Sequence, residues 1–267
     1  MNKLFFILSF FISVIANAQI IYFGSASTPA DSPTATNTAT TTSVTPPGSM
    51  TTGDLVIMYA YQRGASTTFS ISATGGQSWT SETAHQSSTA ILSARVFWCR
   101  YNGTWSADPS VLFSVGTNTN VIMHVFRPTS TSYQWALETG MTGVGASDMQ
   151  VLTSFSATSP VSQPLSSYNI NTHASTVSIC IWSTDDDNTW GAVSGSGWTD
   201  AGSAQYRNTS GSDVSSSFAY SIRTTTGTVN SASKTEATLG NDPGIRGGYV
   251  FYEFIPTFNK GAFFNIF

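Results

Sequence analysis

The chain has 267 residues and 28.4 kDa, with Lys+Arg 10 against Asp+Glu 14, so its net charge is -4 and its charged fraction 9%. That balance excludes a basic nucleic-acid binder, which needs clustered Lys and Arg for phosphate contacts. A 40% apolar and 13% aromatic content excludes an acidic disordered tail. Ser and Thr supply roughly 30% of the residues and strong helix formers are scarce, a composition suited to short strands joined by turns.

The N-terminal residues read as an address. Met1-Asn2-Lys3 carries one positive charge, an apolar run follows from Leu4 to Ile15, and Ala16-Asn17-Ala18 fits the small-x-small cleavage rule. The run falls short of the ~20 apolar residues that a membrane span requires, so residues 1–18 are expected to be a removable signal peptide. No later stretch is apolar enough to span a bilayer. The expectation is a secreted or cell-surface protein with no membrane span.

In chain order, a leader at Ile20-Ile21-Tyr22-Phe23 is followed by a Thr/Ala/Pro-rich loop or irregular edge over residues 30–42. Leu55-Val56-Ile57-Met58-Tyr59-Ala60-Tyr61 is apolar on both faces, which suits a central strand covered on two sides. Next come Gly76-Gln77-Ser78-Trp79-Thr80 and the aromatic strand Ala94-Arg95-Val96-Phe97-Trp98. Asn102-Gly103 carries a two-residue hairpin signal, because a type I′ turn needs positive φ at both central positions. The first half closes on Val121-Ile122-Met123-His124-Val125-Phe126-Arg127-Pro128, and residues 129–147 read as a connector.

The landmarks then return in the same order. Met149-Gln150-Val151-Leu152 leads, followed by Val177-Ser178-Ile179-Cys180-Ile181-Trp182, Gly195-Ser196-Gly197-Trp198-Thr199 and Ser217-Phe218-Ala219-Tyr220. Tyr249-Val250-Phe251-Tyr252-Glu253-Phe254-Ile255-Pro256 closes the second half. Self-similarity of this kind points to a duplicated unit. Phe218, Tyr220 and Ile222 alternate with Ala219, Ser221 and Arg223, a period of two, and turn signals recur about every 10 residues. The expected fold class is all-β, with two similar antiparallel β-sandwich or jelly-roll units in tandem. Their bounds are 19–128 and 148–256, with a C-terminal tail at 257–267, and the units either stand as separate domains or share one core.

Few residues suggest chemistry. Cys99 and Cys180 lie inside apolar strands, where two buried thiols are favoured over a disulfide, since central-strand positions rarely meet the distance rule. His85, His124 and His173 lack ligand spacing, so zinc is not expected. His124 shares a face with Ile122 and Phe126 and reads as a partly buried structural residue. There is no Gly-x-Ser-x-Gly elbow, and the carboxylates cannot be paired for glycoside hydrolysis, so no catalytic residue is assigned.

The one concentrated charge is Asp185-Asp186-Asp187-Asn188, just past the strand ending at Trp182. Oxygen-only donors on a loop suit Ca²⁺, the single cofactor the sequence suggests, while a solvated acidic turn is the plainer reading. The first half has Gln62-Arg63-Gly64 there, so such a site is expected in the second half alone. Trp79 and Trp198 occupy matching places and read as core plugs. Trp105, Trp135 and Trp190 have no counterpart. With Tyr133 they are the candidate ligand-binding residues, rings that can stack on sugar, against the plainer role of covering a sandwich edge.

Gly53-Asp54-Leu55-Val56, Trp79, Arg127-Pro128, Asp185-Asp186-Asp187, Trp198 and Ile255-Pro256 together form an order of landmarks spanning nearly all of the mature chain. This order resembles duplicated β-sandwich modules of phage tail-associated and bacterial surface proteins. The resemblance implies adhesion or virion-type structural work, although the signal peptide departs from the phage version, whose proteins assemble in the cytoplasm. The expected function is a non-catalytic, exported surface-binding or adhesion protein whose partner is a surface glycan or another protein. The alternative is a structural subunit of a surface layer, fibre or virion, and an exported hydrolase comes third.

Overall fold

The computed structural model describes residues 19–28, 37–72, 74–114, 118–157, 162–187, 189–201, 206–209, 213–236 and 242–256. The expected signal peptide, the C-terminal tail and Asn188 lie outside the described residues. Among those described there is no α-helix; strands pair antiparallel, and the only helical turns are the 3-10 turns Thr74–Gly76 and Ala146–Asp148.

The first large sheet runs in the order Ile21–Thr28, Thr119–Arg127, Leu55–Arg63, Leu92–Arg100, with Thr80–Ser81 and His85–Gln86 on the far side of the last. The second large sheet follows the same plan. Val151–Ala157 pairs with Asp242–Phe254, then come Thr176–Thr184 and Val214–Arg223, with Thr199–Asp200 and Tyr206–Asn208 beyond. A small sheet of Thr41–Ser43, Ser110–Phe113 and Phe69–Ile71 accompanies the first, and the pair Ser162–Leu165 with Ala232–Thr235 and the trio Met141–Thr142, Tyr168–Ile170 and Gly227–Val229 accompany the second.

Strand alternation converts this inventory into layers. On Leu55–Arg63, residues Ile57, Tyr59 and Tyr61 belong to one core with Val177, Ile179, Ile181 and Phe218, so they face the other large sheet. Their neighbours Val56, Met58 and Ala60 pack instead with Phe69, Val111 and Phe113 of the small sheet. In the second half Cys180 and Trp182 turn outward to Leu165, Tyr168 and Ala232. The order is small sheet, large sheet, large sheet, small sheets, and both middle layers are buried on two faces. This is why the central strands carry no polar alternation. The two halves therefore share one core.

Polar ties reinforce the shared layer. Tyr59 Oη and Ser183 Oγ lie 2.6 Å apart, Tyr61 Oη donates to the Tyr206 carbonyl at 3.2 Å, and Trp135 Nε1 donates to the Gly53 carbonyl at 2.9 Å. Each replaces a water contact that burial removes. Cys99 and Cys180 are free thiols facing opposite outer layers, which separates them too far for a bridge, and burial pushes both thiols up.

One expectation changes. Asn102-Gly103 is not a two-residue hairpin. Gly103 has φ +102° but Asn102 is not at positive φ, and the chain crosses here from the Leu92–Arg100 strand to a strand of the small sheet. Asn102 instead locks the turn by accepting from Gln77 Nε2 at 2.7 Å and the Thr104 amide at 3.0 Å. Within the residues read as a connector, Gln134–Leu137 adds a strand to the end of Asp242–Phe254. In the stretch read as a loop or irregular edge over residues 30–42, Thr41 and Thr42 begin a short edge strand on Ser110–Phe113.

Candidate functional site

A cleft of about 450 Å³ opens where the connector meets the second half, at one end of the second large sheet. Its wall is hydroxyl-rich: Thr129, Ser175, Thr224 and Thr225 line it with the ring of Tyr133 and the carboxylate of Glu253. Thr129 and Tyr133 lie in the turn after Thr119–Arg127, Ser175 precedes Thr176–Thr184, and the two threonines follow Val214–Arg223. Tyr133 is held by its backbone, its carbonyl accepting from Arg100 Nε at 2.8 Å.

Glu253 is committed to the scaffold. Its two oxygens accept from the Thr129 amide at 2.8 Å, Thr129 Oγ1 at 2.7 Å and Ser175 Oγ at 2.6 Å. It thus fastens the start of the connector to the second half. A carboxylate saturated in this way shapes the cleft wall and leaves little capacity for proton transfer to a substrate.

The three unrepeated tryptophans do not gather around this cleft. Trp135 is 6% exposed in the shared core and Trp190 is 3% exposed in the second outer core, where its Nε1 donates to Ser215 Oγ at 3.1 Å. Neither ring offers a face for sugar stacking, a correction to the sequence expectation. The physical reason is that each indole N–H finds an internal acceptor, which lets the whole ring be buried. Trp105 is half-buried, stacked on Tyr101 at 5.0 Å and tilted against Trp79 at 6.4 Å. Of the four candidates only Tyr133 lines the cleft. Trp198 is buried and donates to the Asn230 carbonyl at 2.9 Å, whereas Trp79 packs half-buried against the first outer core.

The opposite ends of the same strands carry the acidic cluster. Asp185 follows Thr176–Thr184, Asp213 precedes Val214–Arg223 and Asp242 opens Asp242–Phe254, so strand pairing brings all three side by side. Asp185 is buried and faces Arg63, with Nη1 3.6 Å from Oδ2 and a further bond from Nη1 to the Asp185 carbonyl. The matching places in the two halves therefore meet as an ion pair across the shared core. Burial, set against the Arg63 charge and reinforced by Asp242 and Asp186, pushes the Asp185 carboxyl up to about 6.

Asp186, Asp187 and Asp213, all half-buried, bring one carboxylate oxygen each to within 4.8 Å of one another. Glu236, paired through its backbone with Trp190, is 1% exposed, and neither of its carboxylate oxygens has a hydrogen-bond partner among the described residues. Burial, then the charges of Asp242, Asp186 and Asp185, push its carboxyl up to about 8. Asp213, Glu236 and Asp242 were not singled out in the sequence, because only strand register places them beside the Asp185 loop.

The histidines are structural. His124 is fully buried in the shared core rather than partly buried, stacked on Phe218 at 3.6 Å with Tyr22 Oη 3.2 Å from Nδ1, and burial pushes it down to about 3. His173 pairs with Glu138 at 2.8 Å and stacks on Tyr252. His85 Nε2 lies 2.9 Å from Ser154 Oγ across the halves.

Comparison of the chain with protein-family models, with curated proteins and with solved structures finds no match. Among the described residues no helix is long and apolar enough to cross a membrane.

Proposed function

We propose that this is an exported, non-catalytic binding protein that takes a surface glycan in the cleft between its connector and its second half. The observation that carries the reading is the chemistry of the wall: four Ser and Thr residues and one tyrosine ring around an opening of about 450 Å³. Hydroxyls both donate and accept, as sugar hydroxyls do, and a tyrosine ring presents an apolar face to the C–H side of a pyranose. The only carboxylate in the wall, Glu253, is saturated by three internal donors, which favours capture over hydrolysis. Export rests on the character of residues 1–18.

The test is glycan-array binding of the mature protein, followed by calorimetry on any hit. Tyr133→Ala should weaken binding by roughly ten- to a hundredfold, about 1 to 3 kcal/mol, with the unfolding midpoint little changed. Thr225→Trp should block the cleft outright. Failure of every glycan to bind, or binding indifferent to both substitutions, would remove the proposal.

A further inference from the structure

We propose that the acidic end of the second half, remote from the cleft, is a Ca²⁺ site built by Asp186, Asp187 and Asp213, with Glu236 as the buried carboxylate behind them. Six of the chain's fourteen carboxylates collect here: Asp185, Asp186, Asp187, Asp213, Glu236 and Asp242. Arg63 answers only part of that charge, since its guanidinium is taken by Asp185 and the Asp213 carbonyl. Asp185 is thereby withdrawn from the donor set that its neighbours in sequence would suggest.

The geometry of the remaining three fits one ion. Ca²⁺ takes oxygen ligands at about 2.3–2.6 Å, so donors on opposite sides of it stand about 5 Å apart. The carboxylate oxygens of Asp186, Asp187 and Asp213 all fall within 4.8 Å of one another. These donors come from a loop and from the start of an adjacent strand, held by the pairing of Thr184 with Ser215.

Glu236 supplies the independent observation. A carboxylate that is 1% exposed and has no hydrogen-bond donor among the described residues is costly to bury, and such groups normally have a cation or a donor beside them. Its backbone pairs with Trp190, three residues past Asp187, and Trp190 Nε1 donates to Ser215, two residues past Asp213, so Glu236 stands on the chain segment behind the aspartates, whose charges bear on it. The donors are all oxygens and include no imidazole or thiolate, a set that suits Ca²⁺ better than zinc or copper.

The experiment uses the mature full-length protein, stripped with chelator and titrated with CaCl₂, read by calorimetry and by thermal melting. Ca²⁺ should bind and raise the melting temperature. Asp187→Asn and Asp213→Asn should each weaken binding by at least about tenfold, and Glu236→Gln should weaken it as well. The variants should reverse sign with conditions: in chelator they melt at or above the parent temperature because repulsion is relieved, and in millimolar Ca²⁺ they melt below it. Asp108→Asn, at an exposed hydrogen bond to Thr45 elsewhere, should behave as the parent in both. Absence of heat and of any melting shift at millimolar Ca²⁺ overturns the site, as does binding that Asp187→Asn and Asp213→Asn leave intact. Because the cleft is built at the other end of these strands, loss of Ca²⁺ binding is distinguishable from loss of glycan binding.

Discussion

His124 sits where a charge is least welcome. Tyr22 Oη, the Phe218 ring and the edge-on Tyr206 ring surround it, and among the described residues no charged partner compensates a proton there. Its pKa falls to about 3 in the fold, against about 6.5 in the unfolded chain. The lowered value means that its contribution is fully present above pH 6.5 and is lost as pH falls towards 3, because the unfolded chain takes up the proton that the core refuses. The slope is at most about 1.4 kcal/mol per pH unit. Asp185, raised to about 6, acts in the opposite sense, its contribution being lost as pH rises from about 4 to 6. Relative to the parent, His124→Phe should therefore cost more stability at pH 7 than at pH 5, and Asp185→Asn should gain stability as pH rises from 5 to 7; variant-minus-parent differences in urea midpoint that are the same at both pH values would refute the assignment. The tryptophans give a second residue-scale test. Trp135→Ala should cost about 3 to 5 kcal/mol of stability, since it leaves a cavity in the shared core and strips the Gly53 carbonyl of its donor. The sequence misjudged Trp135 and Trp190 for a definable reason: absence from a repeat says nothing about burial, which depends on whether an acceptor such as Gly53 or Ser215 waits for the indole N–H.

At the scale of elements, residues 55–61 were legible as a strand from a continuous apolar, β-prone run, and Phe218–Ile222 from its period of two. The end of the molecule at which Asp213, Glu236 and Asp242 assemble was not, because register is set by the shared core and not by any local signal. The closing strand Asp242–Phe254 shows how narrow that register is. A Cβ at Gly244 would lie 2.6 Å from the Ser183 carbonyl and also strike the Phe155 ring, and one at Gly248 would lie 2.7 Å from the Ile179 carbonyl. These glycines let Thr176–Thr184 and Val151–Ala157 approach on either side of the strand. Gly244→Ala and Gly248→Ala should each destabilise by about 1 to 3 kcal/mol through overpacking, visible as a lowered urea midpoint with unchanged slope. Stability unaffected by either change would mean that the sheet has slack which its packing does not show.

At the scale of the whole molecule the two halves cannot be treated as beads on a string. Each large sheet spends one apolar face on its own small sheet and the other on its partner, so Ile57, Tyr59, Tyr61, Ile122 and Phe126 lose their cover if Val177, Ile179, Ile181, Phe218 and Phe251 are taken away. An exposed apolar face of that extent exceeds what monomeric proteins tolerate in water. Arg63 would also lose Asp185, and the Gly53 carbonyl would lose the Trp135 indole, so both ends of the interface would be left with unpaired groups. The intact protein should accordingly unfold in a single calorimetric transition whose van't Hoff and calorimetric enthalpies agree. A fragment of residues 19–128 should be insoluble or self-associate through the uncovered face, and adding the complementary fragment of residues 129–256 should restore a soluble complex. A 19–128 fragment that sedimented as a monomer, kept native near-ultraviolet dichroism and melted sharply by itself would show that the small sheet alone suffices to hold each half together.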